Sequence, residues 1–189
     1  MNTDTVLRLI QETDAGDLAQ ILRRSREHLA PWEPERAASY FTEAGQRELA
    51  GRMLAEQALG RSWPGVICAY GELVGRITLN NILRGPLQSC FVSYWVAADF
   101  VRKGIGTRAL QLALDTAFNE LALHRVEAFT QVSNKPSRLV LERNNFRHVG
   151  VLRRHIHIAG GWRDEFLFER IAPWDDGVRA SPSIMSLLR

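Results

Sequence analysis

The chain has 189 residues, 46% hydrophobic and 24% charged, with a formal net charge of +3. That size and balance suit one globular domain with a substantial core. The mild basicity fits an anionic ligand such as a phosphorylated cofactor, or work near RNA. The lack of any block of like charges argues against a nucleic-acid arm. No apolar run approaches the roughly 20 residues of a membrane span, and Met1 to Leu7 has neither a basic nor a long apolar leader region. A cytoplasmic location without membrane contact is therefore expected. Cys68 and Cys90 sit in strand-like runs without CxxC or CxxH spacing. They read as small buried hydrophobes in a reducing compartment, and no metal site is expected.

In chain order, Val6 to Ile10 reads as a first strand. Asp14 is a candidate N-cap for a helix over Leu18, Ile21 and Leu22 that runs to His28, with Pro31 and Pro34 stopping it. A second helix is predicted from Ser39 to Leu59, ended by Gly60. A meander follows: strands over Gly65 to Tyr70, Leu73 to Leu83 and Leu87 to Val96, with turns at Gly71-Glu72 and Gly85-Pro86. The second of these is interrupted near Asn80-Asn81. The period then becomes helical, with Ile105, Leu112, Ala113, Ala117 and Leu121 on one face. His124 to Val132 reads as a strand and Pro136 to Arg143 as a helix. Phe146 to Ala159 and Trp162 to Ile171 form a hairpin through Gly160-Gly161. The order β-αα-βββ-α-β-α-ββ predicts one mixed sheet in an α/β domain. Residues 173–189, rich in Pro, Asp and Ser, read as a C-terminal tail on a domain spanning 1–172.

Two stretches carry candidate chemistry. In Tyr94-Trp95-Val96 followed by Arg102-Lys103-Gly104-Ile105-Gly106-Thr107, a strand ends, a basic glycine-containing turn follows, and a long helix begins. Free backbone amides at a helix start bind anions, and the helix dipole assists. A pyrophosphate is the natural guest; the alternative is a basic loop whose glycines only turn the chain. The spacing fits neither a Walker loop nor the dinucleotide fingerprint. The second stretch runs from Asn134 to Phe146. There Asn134 is either a functional group or a helix cap, and Ser137 either a functional group or a first-turn residue.

Together the two stretches resemble the Gcn5-related N-acetyltransferase (GNAT) superfamily. The first is similar to its Arg/Gln-x-x-Gly-x-Gly/Ala acetyl-CoA motif, and the second to its Asn-x-x-Ser and Glu-x-x-Gly-Phe motifs. Arg26 to Arg36, continued by Ser39-Tyr40-Phe41 and Gly45-Gln46-Arg47, resembles the segment between the first two helices of ribosomal-protein-alanine N-acetyltransferases of the RimJ/RimL type. The resemblance implies a GNAT-like mixed sheet of about seven strands flanked by about four helices. It also departs in places. Val101 stands where the motif has Arg or Gln, and Arg102 follows. Asn145 replaces the glycine before Phe146, a position Asn tolerates through left-handed backbone angles. Where some relatives carry a Glu base, this chain has Ile156.

The resemblance implies that acetyl-CoA is the co-substrate. It would lie between two splayed parallel strands ending near Val96 and Val132, held by Tyr94, Trp95, Val96, the 102–107 loop, Asn134 and Ser137. An amine attacks directly in a ternary complex, without a cysteine nucleophile. Ser137 would donate to the leaving sulfur. His155 and His157 are the candidate bases, placed with Arg153 on one face by strand alternation, and a solvated sheet face is the alternative. Glu33, Glu35 and Asp164 are rival carboxylates. Trp32, Glu33, Glu35 and Tyr40 are the candidate acceptor wall. The implied acceptor is a protein N-terminus, Ala or Ser, of a ribosomal or other protein. The rival functions are acetylation of a small amine and non-catalytic acetyl-CoA binding. No nucleic-acid partner is required, and monomer and homodimer both remain open.

Overall fold

Alternating apolar runs between turn residues produce seven strands, and one sheet takes them all. A computed structural model describes residues 4–177. The strands are β1 (Val6–Leu9), β2 (Trp63–Ala69), β3 (Glu72–Leu83), β4 (Ser89–Val96), β5 (Arg125–Gln131), β6 (Arg147–Ile158) and β7 (Gly161–Ile171). Their order is β1-β2-β3-β4-β5-β7-β6. Every neighbouring pair is antiparallel except β4 and β5, which are parallel. That junction needs a crossover, and α4 (Ile105–Asp115) supplies it.

The other helices are α1 (Ala15–Arg24), the single turn α2 (Arg26–Leu29), α3 (Glu43–Ala58) and α5 (Lys135–Arg143). The expected first helix therefore breaks at Ser25. Its Oγ accepts from the Ala98 amide at 3.1 Å, tying the break to the end of β4. The second begins at Glu43 rather than Ser39. Thr42 Oγ1 accepts from the Gly45 amide at 3.1 Å and caps it, while Ala38–Phe41 forms a 3-10 turn. Past Asp115, α4 widens into a π turn over Thr116–Glu120.

Pleating sorts the side chains onto two faces. Ile67, Ile77, Leu79, Val92, Val126 and Ala128 pack against Ile105, Leu110, Ala113 and Leu141 of α4 and α5. On the opposite face, Val66 and Trp95 pack with Leu18, Ile21 and Leu22 of α1 and Ala50 of α3. Each fully buried Leu or Ile contributes roughly 1.5–3 kcal/mol relative to exposure.

The tail expected over residues 173–189 lies largely outside the described residues. Its first part is attached to the domain. Trp174 packs against the α4-side core and donates from Nε1 to the Phe118 carbonyl at 3.4 Å. Asp175 Oδ2 lies 2.9 Å from His124 Nε2.

Candidate active site

The parallel junction is incomplete. β4 and β5 pair only at Ser89–Arg125, Cys90–Val126 and Phe91–Glu127. β4 continues beside β3 to Val96, and β5 beside β7 to Gln131. Beyond Phe91 the two strands diverge, leaving facing edges that are unpaired within the sheet. This is the splaying that the resemblance implies. A cleft of about 1290 Å³ fills the gap and passes through the sheet, reaching both faces.

On the α4–α5 side, the cleft ends at a cradle of amides. Gly104 takes φ 79° and Arg102 φ 60°, turning the chain sharply into α4. The first helical hydrogen bond runs from the Arg108 amide to the Gly104 carbonyl, at 3.0 Å. The amides of Ile105, Gly106 and Thr107 consequently have no partner within the helix. Arg102, Gly104, Ile105, Gly106 and Thr107 all line the cleft. Lys103 does not; its Nζ lies 4.9 Å from the Phe100 ring centroid. A Cβ added at Gly106 would stop 3.7 Å from Val96 and Val140, an ordinary contact.

Above the gap, Asn134 Oδ1 accepts from the Ser137 amide at 3.1 Å and caps α5, with Pro136 in the first turn. The cap turns Ser137 toward β4. Its hydroxyl lies 3.1 Å from the Tyr94 hydroxyl. Desolvation holds the Tyr94 phenol well above its ordinary range, against the opposing effect of the Ser137 hydrogen bond, so the phenol keeps its proton. Tyr94, Trp95, Val96, Asn134 and Ser137 all line the cleft. Thr130 Oγ1 is buried without a hydrogen-bond partner among the described residues, and Thr130 is another lining residue.

The α1–α3 face forms the other mouth. Arg76, Thr78, Phe91, Ser93 and Trp95 share this face by register, as do Phe129, Gln131 and Glu165 of β5 and β7. Trp32, Glu33, Pro34 and Arg36 close over it. Gln131 Nε2 donates to the Pro31 carbonyl at 2.9 Å, fixing that segment to β5. Glu33 lies 3.8 Å from Arg36 Nε. Glu35 is exposed and does not line the cleft. Tyr40 stands behind the wall, its hydroxyl accepting from Arg76 Nη2 at 3.4 Å.

The two histidines part company. Between Leu152 and Ile156, β6 carries extra residues relative to Glu165–Arg163 of β7, and Arg154 takes φ 49°. This bulge breaks the expected alternation. His155 turns into the cleft, its ring 5.1 Å from that of Phe129. His157 stays outside, edge-on to the exposed Trp162 at 5.5 Å. Asp164 accepts from the Arg154 amide at 2.8 Å and serves the bulge. Ile156 also lines the cleft. The sequence reading missed Glu165, which is 5% exposed and hydrogen-bonds His155. The signal was present: a carboxylate opening the apolar run Glu165-Phe166-Leu167-Phe168. Cys90 is buried and its thiol is pushed up to about 12, chiefly by burial and then by Glu127, which removes it as a nucleophile.

Splayed parallel strands, an amide cradle at a helix start and a hydroxyl pair beside the gap define an acyl-transfer enzyme. The chain matches the family profile described as acetyltransferase (GNAT) domain over residues 4–147, and it belongs to that family. It is 31% identical over 172 residues to a probable N-acetyltransferase, YjcK, of Bacillus subtilis strain 168, covering 90% of this chain and 95% of that protein. It is 28% identical over 180 residues to the [ribosomal protein uS5]-alanine N-acetyltransferase of Escherichia coli K12, covering 91% of this chain and 90% of the relative. Among solved structures, Mycobacterium smegmatis RimJ in complex with CoA-disulfide superposes with a TM-score of 0.87. That match has 33% identity and covers 97% of this chain and 88% of that one.

Proposed function

We propose that this chain is a cytoplasmic enzyme that transfers the acetyl group of acetyl-CoA to a protein N-terminus, Ala or Ser, on a ribosomal or other protein. The observation that carries the reading is that one continuous cleft joins the Tyr94–Ser137 pair to the Trp32–Arg36 wall on the opposite sheet face. That wall is the segment resembling ribosomal-protein-alanine acetyltransferases, and the similarity to the E. coli enzyme and to RimJ supports it.

The residues present fit acetyl-CoA. The orphaned Thr130 hydroxyl, the unpaired edges of β4 and β5, and the free amides of α4 offer partners along an extended polar ligand. Acetyl-CoA supplies an activated thioester carbonyl. The amides of Ile105 to Thr107, with Arg102, would hold its pyrophosphate. A backbone amide in Tyr94–Val96 would steady the carbonyl oxygen. Ser137, bonded to the protonated Tyr94, donates to the departing sulfur. His155 takes the proton that the amine loses as its nitrogen bonds to the acetyl carbon. An α-amine has a pKa of about 7.7–8.0, so a useful share is already neutral near physiological pH. A small first side chain lets that amine pass the Trp32 wall and approach the gap.

A peptide panel differing only at residue one, assayed beside polyamines and aminoglycosides, tests the reading. Ala- and Ser-starting peptides should turn over best. Preference for a free small amine over every such peptide would overturn the protein-acceptor reading, and CoA binding without any turnover would leave a non-catalytic binder.

A further inference from the structure

The cleft contains a buried carboxylate that the acyl-transfer chemistry above leaves without a task. Glu165 is 5% exposed, sits in mid-sheet opposite Gln131 on one side and Leu152 on the other, and lines the cleft. Burying an ionised carboxylate costs several kcal/mol unless a partner compensates. Among the described residues no arginine or lysine fills that role. Its one side-chain partner among the described residues is His155, with Glu165 Oε2 lying 2.7 Å from Nδ1.

The ring is placed to use that bond. The Leu152–Ile156 bulge turns His155 over the Phe129 ring, while Nδ1 faces Glu165. Nε2 makes no hydrogen bond among the described residues. An ionised carboxylate can only accept, so the proton of a neutral ring must sit on Nδ1. Nε2 is then the basic nitrogen. Ile156, the neighbouring cleft residue from β6, cannot take a proton.

We propose that Glu165 is the positioning residue of the acceptor-side proton transfer, fixing His155 as the Nδ1–H tautomer with Nε2 free to accept from the amine. This rests on the acetyltransferase reading above. In the step, the amine nitrogen bonds to the acetyl carbon and gives its proton to Nε2. The carbon–sulfur bond breaks and sulfur leaves with the electron pair. Glu165 stays ionised and balances the imidazolium, which then returns its proton to solvent. Glu165 acts only through the ring.

Two measurements test this. Long-range proton–nitrogen NMR on the wild-type protein at alkaline pH reads the His155 tautomer directly, without any substrate. Nδ1–H is expected, and Nε2–H overturns the proposal. Turnover is then measured for Glu165→Gln, His155→Ala and the double variant, with whichever amine the panel identifies. Glu165→Gln should lower kcat by about 10²-fold, within the usual range for general-base catalysis, and leave the KM for acetyl-CoA unchanged. In the His155→Ala background it should have no further effect. Additive losses would mark Glu165 as merely structural. Because the tautomer is read without turnover, failure of this inference is distinguishable from failure of the acetyltransferase reading.

Discussion

The Tyr94 hydroxyl lies 3.1 Å from the Ser137 hydroxyl, bridging the last residues of β4 and the first turn of α5. The bridge crosses the region where β4 has lost its partner strand. In the proposed chemistry the two hydroxyls would act as one donor unit. Ser137→Ala should lower kcat more than it lowers CoA affinity, since the proposed hydrogen bond to sulfur would strengthen as charge develops there. Tyr94→Phe should lower kcat in the same direction. Combining the two should cost less than the sum, as steady-state kinetics on the four proteins would show. Unchanged turnover in Ser137→Ala removes it from the chemistry.

The two glycines of the cradle should separate under mutation. Gly104 sits at φ 79°, so Gly104→Val strains the backbone and should lower both stability, by about 1–2 kcal/mol, and CoA binding. Gly106 has room for a Cβ within the fold. Gly106→Ala should therefore leave thermal stability nearly unchanged while CoA affinity in calorimetry falls at least about tenfold, the equivalent of 1.4 kcal/mol. Normal affinity in both variants would place the pyrophosphate elsewhere.

Acid should act through Asp14. This buried carboxylate accepts from Arg8 at 2.8 and 2.6 Å and from the Gln11 amide at 2.8 Å. Burial pushes its pKa up, but the Arg8 and Gln11 hydrogen bonds and the Arg8 charge outweigh burial, so it falls below the ordinary 3.8. A depressed carboxylate stabilises the fold above its ordinary range, and that contribution is lost as pH falls through the folded-state value. Asp14→Asn should cost about 1–3 kcal/mol at neutral pH. The gap in Tm between wild type and variant should close in acid.

Direct transfer predicts no acyl-enzyme. Cys68→Ala and Cys90→Ala should each retain turnover, and mass spectrometry after acetyl-CoA treatment should find no acetylated cysteine. At neutral pH, iodoacetamide should label the partly exposed Cys68 before the buried Cys90, whose thiol is pushed up to about 12.

Much of the architecture was legible because it rests on local pattern. The meander, the switch to helical period at Ile105 and the closing hairpin all form where periodicity puts them. Asn145 takes φ 57°, the left-handed angle its place before Phe146 required. The acceptor side was less legible because bulges and caps decide it. Strand alternation assigned His155 and His157 to one face. The bulge between Leu152 and Ile156, within which Arg154 takes φ 49°, undoes that, and no side chain there announces it. Glu165 was passed over for its neighbour Asp164, since either could face inward until the register with Gln131 was known. Helix starts shifted for a similar reason. The Thr42 cap outweighs the helix-compatible residues before it.

The incomplete junction has a mechanical side. At its closed end the two halves of the sheet are fastened tightly: the His124 and Arg125 amides both reach the Gln88 carbonyl, at 2.7 and 3.2 Å, and Arg84 reaches the Leu121 carbonyl at 2.5 Å. Three residue pairs later nothing in the sheet holds them. The halves are thus joined like the arms of tweezers, with Gln88 near the pivot and Tyr94 toward the tips. Small rotations at the pivot become larger changes in gap width where the acyl group would sit. Amide hydrogen exchange along β4 should consequently be slowest near Cys90 and quicken toward Val96. A bound co-substrate gripping both arms should flatten that gradient.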